Sequence, residues 1–264
     1  MNAITVVLPV YNEGPWLRSS LERLHAHLRE LRGAYRTELI VVDDASQDSS
    51  TAVIETFRRQ HPGALRFLRL GRRQGMVGAL RAATEAARSS TIVVMDGKLS
   101  YPPETIEQMA GEAFRTGAAC VIASAYLRGG RVSRIPLLRR LGDALANRLL
   151  SHCVRGRVAT LTGLVRTYDA KVLRELLTRE PEGDFNAWAI GELLGAGRIL
   201  REVPAHMSWP SGRNGVPGQT SLREIWQDGL AVLRAAGRLR RLPSSTLVSA
   251  GSTSSAPVGT YGPL

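Results

Sequence analysis

The chain has 264 residues, 44% of them hydrophobic and 22% charged, which is the composition of an ordinary globular protein with one large or two small domains. Its net charge of +12 points to an anionic partner (nucleic acid, phospholipid surface or phosphorylated substrate) or to an arginine-rich solvated surface. The two cysteines, Cys120 and Cys153, lack C-x-x-C spacing, which favours a reducing compartment and argues against structural zinc. No apolar run approaches the ~18 residues that span a bilayer, and the amino terminus lacks a signal-peptide pattern, so we expect a cytoplasmic protein, soluble or lying on a membrane.

The first half of the chain alternates between strand and helix patterns. We predict buried strands at residues 4–10, 38–44, 65–70, 91–95 and 118–124. Between them we predict four helices. The first carries an apolar stripe from Leu17 to Leu31, and the second ends near Gln60. The third follows the glycine-punctuated loop 71–79, and the fourth spans 102–115. This alternation is typical of βαβ units and predicts an α/β fold with a mostly parallel central sheet flanked by helices.

The pattern changes beyond Tyr126, where a basic segment at 128–140 begins. We predict helices at 141–150, 170–177, 186–194 and 221–241, a strand and turn at 161–168, a strand at 199–204 and a loop at 208–219. The last helix carries five arginines beside apolar residues. From Ser244 the chain is rich in serine, threonine, glycine and proline, so we predict a single domain over residues 1–243 and a disordered tail over 244–264.

Acidic residues stand at the ends of two predicted strands. Asp43 and Asp44 end the second strand, and Asp96 follows the fourth. Right-handed crossovers place such ends at one edge of the sheet, where open α/β sheets bind ligands. We therefore predict a ligand site that contains Asp43 and Asp96, whereas helix capping is the role we favour for Asp48 or Ser46.

Five short motifs connect these positions to a known family. They are VLPVYNE at 7–13, VVDDASQD at 41–48, MDGKLSYPPE at 95–104, LTGLVRTY at 161–168 and EVP at 202–204. With the motifs in this order and spacing, the chain resembles the family 2 glycosyltransferases of GT-A fold, specifically the dolichyl- or polyprenyl-phosphate mannose and glucose synthases. The resemblance covers about residues 4–240. The resemblance implies inverting direct displacement of a sugar from a nucleotide-diphosphate sugar to an acceptor.

The same resemblance implies a donor-binding half at about 1–125 and an acceptor half at about 126–243. The implied donor-binding residues are Pro9, Tyr11, Glu13, Asp43, Asp44, Gly75, Asp96 and Gly97. In the family a divalent cation, Mg²⁺ or Mn²⁺, is held by both acids of a D-x-D motif and neutralises the departing diphosphate. A phosphate acceptor such as a polyprenyl phosphate needs arginines, and Arg139 and Arg213 match two such positions. A lipid acceptor implies a peripheral position at the inner face of a membrane.

Several positions depart from the family pattern. Lys98 stands where the second metal-binding acid is expected, which leaves Asp96 alone to hold a metal. The other departures, at positions where the family has an arginine, a serine and two acids, are Ala125, Asp143, Thr160 and Trp188. Three alternatives stay open: the Lys98 ammonium replaces the metal, the acceptor is not a lipid phosphate, or the protein does not catalyse. We favour a working but atypical transferase whose catalytic residues are Asp96, Lys98, Arg139 and Arg213.

Two other function classes remain. One is a degenerate relative that binds nucleotide sugar without turnover. For Lys98 a solvated surface position and a role in the site have about equal weight. The other is a nucleic-acid binder, but no RRM, zinc or helix-turn-helix signature supports it, so we expect no nucleic-acid partner. The arginines of helix 221–241 fit an anionic membrane surface as well as plain solvation.

Overall fold

The computed structural model describes residues 1–133, 145, 147–148, 152, 158–179, 181 and 184–208. The strands are β1 (Asn2–Val10), β2 (Tyr35–Asp43), β3 (Arg66–Arg69), β4 (Thr91–Val94), β5 (Cys120–Ser124), β6 (Arg131–Ser133), β7 (Arg166–Asp169), β8 (Leu200–Pro204) and β9 (His206–Ser208). Seven of them form one sheet in the order β3-β2-β1-β4-β7-β5-β8, and β6 pairs with β9 in a separate ribbon. Within the large sheet β7 runs antiparallel to its neighbours β4 and β5, and every other adjacent pair is parallel. The predicted α/β class is confirmed.

The helices are α1 (Gly14–Glu30), α2 (Ser50–Gln60), α3 (Gly75–Ala86), α4 (Thr105–Thr116), α5 (Ala170–Leu177) and α6 (Phe185–Gly195). The predicted leucine stripe of α1 is confirmed, because Leu17, Leu21, Leu24 and Leu28 are all buried. Helix α5 begins where the Asp169 carboxylate accepts hydrogen bonds from the first backbone N–H groups.

The core lies on both faces of the sheet. One face packs against α1, α2 and α4, and the opposite face packs against α3, α5 and α6. Successive residues of β1 alternate between the two layers, with Val7 on the α3 side and Leu8 on the α1 side. Both side chains are fully buried, and burial of each contributes about 1.5–3 kcal/mol to folding.

The structure differs from the predicted elements in a few places. Helix α4 begins at Thr105 instead of at residue 102, because Pro102 and Pro103 occupy the turn before it. Strands β6 and β9 were not predicted, since three residues each are too few for a periodic pattern. Helix 221–241, loop 209–219, the tail 244–264 and most of helix 141–150 lie outside the described residues. Among the described helices none is long and apolar enough to cross a membrane.

The order of the strands creates a switch point between β1 and β4. From β1 the chain moves outward to β2 and β3, and then returns to the other side of β1 to form β4. The loops that leave the carboxyl ends of β1 and β4 therefore diverge and leave a crevice between them, which is where open α/β sheets bind ligands.

Candidate active site

Three tight turns follow the carboxyl ends of β1, β2 and β4. Each contains a non-glycine residue with a positive φ: Asn12 at 53°, Ala45 at 59° and Leu99 at 49°. Alanine and leucine rarely adopt this conformation, and such backbone strain concentrates at ligand sites, where the surrounding structure holds it in place. The three turns mark the edge beside the switch point as the candidate site.

The turns after β1 and β2 are joined by hydrogen bonds. The Asn12 N–H donates to Ser46 Oγ at 3.0 Å, and the Gly14 N–H donates to Asp48 Oδ2 at 2.9 Å. The other oxygen of Asp48 accepts from the Ser50 N–H at the start of α2. Asp48 thus serves the first turns of two helices, in line with the capping role that the sequence favoured.

Asp43 lies at the predicted edge, fully buried at the end of β2. Its Oδ1 accepts from the Ser46 N–H at 2.9 Å, and its Oδ2 accepts from the Thr51 hydroxyl at 2.5 Å. Arg69 Nε lies 3.9 Å from Oδ2. A carboxylate oxygen accepts more than one hydrogen bond, so this network is compatible with a further donor from a ligand. The donor-binding role of Asp43 stays a prediction.

Asp44 holds the loop that precedes α3. Its Oδ1 accepts from the Gln74 N–H at 2.6 Å, and its Oδ2 accepts from the Gly75 N–H at 2.8 Å. Gly75 has a φ of 70°, a conformation that favours glycine. Asp44 therefore positions Gly75 at the positive end of the α3 dipole, and a direct contact of either residue with a donor stays a prediction.

Asp96 is tied into its own loop after β4. Its Oδ1 accepts from the Ser100 N–H at 3.0 Å and from the Lys98 N–H at 3.2 Å, and its Oδ2 accepts from the Ser100 hydroxyl at 2.5 Å. Ser100 was not among the predicted site residues. These bonds fix the carboxylate at the mouth of the crevice, with the half-buried Lys98 in the same loop.

Glu13 and Gly97 meet across the switch point. A β-carbon built on Gly97 would overlap Glu13 Oε2, so a larger residue at this position would force the Glu13 carboxyl to move. Glu13 Oε2 is buried and has no hydrogen-bond partner among the described residues. Burial, helped by the nearby Asp96 carboxylate, raises the pKa of Glu13 to about 7, and the Lys98 ammonium partly opposes this rise. We call Glu13, Asp96, Gly97 and Lys98 the switch-point cluster.

This cluster does not fit a metal site of the D-x-D type. Ser100 already donates to both oxygens of Asp96, and position 98 carries an ammonium, which repels a divalent cation. Within the described residues no three histidine, cysteine or acidic side chains converge on one point. No catalytic step is therefore assigned to a metal.

Pro9 and Tyr11 occupy the end of β1 and the turn that follows it. Pro9 is buried in β1, whereas Tyr11 is half-buried and lies under the guanidinium of Arg73, 4.0 Å from the ring centroid. Arg73 was not predicted as a site residue, because its glycine-punctuated loop gives only a weak phosphate-loop signal.

The LTG motif on the acceptor side is organised by one buried arginine. Arg166, at the start of β7, donates to the carbonyl oxygens of Leu161 at 2.5 Å, Gly163 at 2.7 Å and Asn186 at 2.8 Å. Arg166 was not predicted as a site residue, and its contacts are those of a residue that shapes the loop.

Glu202, from the EVP motif, supports the same loop from β8. Its carboxylate accepts from the N–H groups of Ala159 at 2.7 Å and Thr160 at 2.9 Å. Burial raises the pKa of Glu202 above its ordinary value, and these hydrogen bonds oppose only part of that rise. The Thr160 hydroxyl lies 2.7 Å from Ser124 Oγ, so the residue that replaces a family acid is part of this internal network.

Ala125 is buried at the carboxyl end of β5. A β-carbon built on Gly130 would overlap the carbonyl oxygens of Ser124 and Ala125, so the following turn packs closely on this segment. Arg139 and Arg213, predicted to bind the acceptor phosphate, lie outside the described residues.

Comparison with known proteins identifies relatives. Residues 5–177 match the family model described as glycosyl transferase family 2. A dolichol-phosphate mannosyltransferase from Pyrococcus furiosus is 30% identical over 138 residues, which is 52% of this chain and 37% of that protein. An undecaprenyl-phosphate 4-deoxy-4-formamido-L-arabinose transferase from Pseudomonas fluorescens is 26% identical over 185 residues, which is 70% of this chain and 52% of that protein. The chain thus spans about half or less of the length of these curated relatives.

Solved structures with the same fold include two bound to nucleotides. A glucosyl-3-phosphoglycerate synthase from Mycobacterium tuberculosis, in complex with Mn²⁺, UDP and phosphoglyceric acid, aligns with a TM-score of 0.63 and 19% identity over 92% of this chain and 80% of that one. A mannosyltransferase from Pyrobaculum calidifontis, in complex with GDP-mannose and Mn²⁺, aligns with a TM-score of 0.59 and 16% identity over 96% and 76% of the two chains. At these identities the likeness concerns the fold, and it confirms the predicted GT-A architecture.

Proposed function

Because the chain belongs to glycosyl transferase family 2, we propose that it moves a sugar from a nucleotide-diphosphate sugar to an acceptor by inverting direct displacement. The observation that carries this proposal is the switch-point cluster, which lies in the crevice where such sheets bind nucleotides. The nucleotides in the two neighbouring structures, UDP and GDP-mannose, support a nucleotide-linked donor.

In this proposal the donor lies along the carboxyl edge. Asp43 accepts hydrogen bonds from the base or the ribose, and Pro9 and Tyr11 line the same pocket. Gly75 opens α3, whose positive dipole end favours the diphosphate. Gly97 has no side chain, and the Glu13 carboxyl occupies the space that a β-carbon would take, so a contact of Gly97 with the donor would be made by its backbone.

Negative charge develops on the diphosphate as the bond to the sugar breaks. We assign its neutralisation to the Lys98 ammonium, a compact charge with three donors, which acts beside Asp96. A Glu13 carboxyl with a pKa near 7 is partly protonated at neutral pH, so it opposes the incoming diphosphate less than an ionised carboxylate would. This arrangement predicts that dependence on Mg²⁺ or Mn²⁺ is weak or absent.

For the acceptor we propose a polyprenyl phosphate, whose phosphate would be bound by Arg139 and Arg213. The names of the curated relatives support this choice. A phosphate oxygen is already anionic, so it attacks the sugar without a general base. A second candidate is an acceptor other than a lipid phosphate, and the buried Ala125 favours it because no arginine is available at that position.

The experiment that tests the proposal is a panel of nucleotide sugars with undecaprenyl phosphate as the acceptor. Calorimetry measures binding of GDP-mannose and UDP-glucose, and release of GDP or UDP measures turnover. Binding with acceptor-dependent release supports a transferase. Binding with no release for any acceptor supports the alternative of a nucleotide-sugar-binding protein, and no binding at all contradicts both.

We further propose that residues 221–241, for which the sequence predicts a helix, bring the protein to the inner face of an anionic membrane. Each basic residue near such a surface contributes about 1 kcal/mol. Co-sedimentation with anionic liposomes should fall with added salt and with deletion of this helix. If neither change matters, the apolar stripe packs against the rest of the protein.

A further inference from the structure

Two histidines meet where the second half of α1 packs beside the end of α2. The ring centroids of His25 and His61 lie 5.0 Å apart. Both imidazoles also contact the ring of Phe57, with centroid distances of 5.7 Å for His25, which is edge-on, and 4.6 Å for His61. We call these three residues the ring cluster. Because α1 and α2 both begin at the candidate site, the ring cluster lies at the far end of this helix pair.

The backbone and the surroundings of both histidines are fixed. His25 lies inside α1, and His61 directly follows α2. The His61 N–H donates to the Phe57 carbonyl at 2.9 Å, and the His61 carbonyl accepts from the Ala64 N–H at 3.1 Å. Phe57 is fully buried, so its ring restricts the two imidazoles that pack on it. Each imidazole is only half-buried and remains accessible to a dissolved ion.

The distance between the two imidazoles matches that of two histidines bound to one metal ion. A zinc–nitrogen bond of about 2.0–2.1 Å places the centre of an imidazole about 3.2 Å from the ion. Two such rings have centres about 4.5 Å apart at a right angle around the ion and about 5.2 Å apart at the tetrahedral angle. The observed 5.0 Å lies between these values. The ring planes are inclined by 57°, so the pair is not a stacked one.

The charges around the ring cluster narrow the class of ion. Burial lowers the pKa of the His25 imidazole, and the neighbouring His61 adds to this effect. The charges of Arg29 and Arg32 act in the same direction, and together these causes favour the neutral ring, which is the form that binds metals. The two arginines also repel a cation. They therefore disfavour ions such as Mg²⁺ and Ca²⁺, which prefer oxygen ligands, and leave those that bind imidazole nitrogen tightly.

We propose that His25 and His61 bind one divalent transition-metal ion, Ni²⁺, Cu²⁺ or Zn²⁺, with water at its remaining positions. The ion joins α1 to the residue that ends α2, so its binding stabilises the folded chain. Gly14, which opens α1 beside the candidate site, lies about 16 Å away along the helix axis. The proposed metal site is thus separate from the switch-point cluster and does not depend on the proposed function.

Titration of the full, tag-free chain with Ni²⁺ and with Zn²⁺ in a calorimeter tests this. The unaltered chain should bind a single ion. His25→Gln and His61→Gln should each weaken binding at least about 10-fold, because the loss of a residue that merely orients a metal ligand already costs about 10–100-fold. Arg29→Gln removes a repelling charge and should tighten binding. His206→Gln is the matched control, since this exposed histidine lies beside Ser133 in the ribbon of β6 and β9, and it should leave the affinity unchanged.

Urea unfolding gives a second readout on the same variants. Saturating Ni²⁺ should raise the urea midpoint of the unaltered chain and of His206→Gln, but not those of His25→Gln and His61→Gln. The inference is overturned if neither ion binds saturably to the unaltered chain. It is equally overturned if binding survives the loss of either ring-cluster histidine, or if the control variant loses as much affinity as they do. None of these results affects the proposed function, because donor binding can be measured in EDTA.

Discussion

Replacement of Glu13 by glutamine removes a titrating carboxyl from the switch-point cluster while preserving its shape. In the native chain Glu13 Oε2 is buried against Gly97 and has no hydrogen-bond partner among the described residues. Ionisation therefore places a poorly solvated charge beside the Asp96 carboxylate, and this is why the pKa of Glu13 is raised to about 7.

The size and sign of the effect follow from this pKa. A rise from 4.5 in the unfolded chain to about 7 in the folded one corresponds to about 3 kcal/mol, at about 1.4 kcal/mol for each pKa unit. Because the folded pKa is the higher one, the native state binds more protons between these two pH values. The contribution of Glu13 to the free energy of unfolding is thus fully present below about pH 4.5, and it is lost as the pH rises through about 7.

Urea unfolding at pH values from about 5 to 8 measures this loss. The difference between the profiles of the unaltered chain and the Glu13→Gln variant should shift by about 2.5 kcal/mol across that range, since a part of the full effect lies below pH 5. Glu107→Gln, at an exposed position on α4, is the matched control and should follow the unaltered chain. Parallel profiles for the unaltered chain and the Glu13→Gln variant would refute the reasoning.

Three other changes test separate parts of the site. Donor binding by the unaltered chain should survive EDTA. The Lys98→Asp substitution should make donor binding respond to Mn²⁺, because it restores an oxygen ligand. If EDTA abolished donor binding by the unaltered chain and Mn²⁺ restored it, Lys98 would not replace the metal. Asp43→Ala should weaken nucleotide binding by ~1–3 kcal/mol in calorimetry, and an unchanged affinity of the folded variant would remove Asp43 from the site. Asp44→Ala leaves the N–H groups of Gln74 and Gly75 without their acceptor, so it should lower the free energy of unfolding, measured in urea, by about 1–2 kcal/mol. An unaltered urea midpoint would mean that these two hydrogen bonds contribute nothing to stability.

The sequence predicted the centre of the main sheet well because β1, β4 and the second half of β2 are buried on both faces. Such strands appear as continuous apolar runs, and β1, β2 and β4 all overlap the predicted ranges. The α1 stripe was equally clear, since its leucines recur at helical spacing. The ribbon of β6 and β9 was missed because it depends on pairing between short segments far apart in the chain, such as the Arg131 N–H with the Ala205 carbonyl.

The site was only partly predictable from the sequence. The acids at strand ends could be placed at one edge, because parallel strands share that edge. The packing of Glu13 on Gly97 depends on two strands that meet only in the fold. The positive φ values of Ala45 and Leu99 leave no signal in the sequence, because neither residue type favours that conformation. The contact between Tyr11 and Arg73 likewise appears only when β3, β2 and β1 are ordered.

The most direct test of the central claim is transfer of a labelled sugar by the unaltered chain. Labelled GDP-mannose and UDP-glucose are supplied in turn with undecaprenyl phosphate, and the lipid product and the released nucleotide are quantified with and without EDTA. The account predicts that at least one donor gives a product that depends on the acceptor and has an inverted anomeric configuration. EDTA should reduce the amount of product only slightly. The Asp96→Asn and Lys98→Ala variants should form much less product. Saturable donor binding without product from any acceptor, or product formation that survives both substitutions, would contradict it.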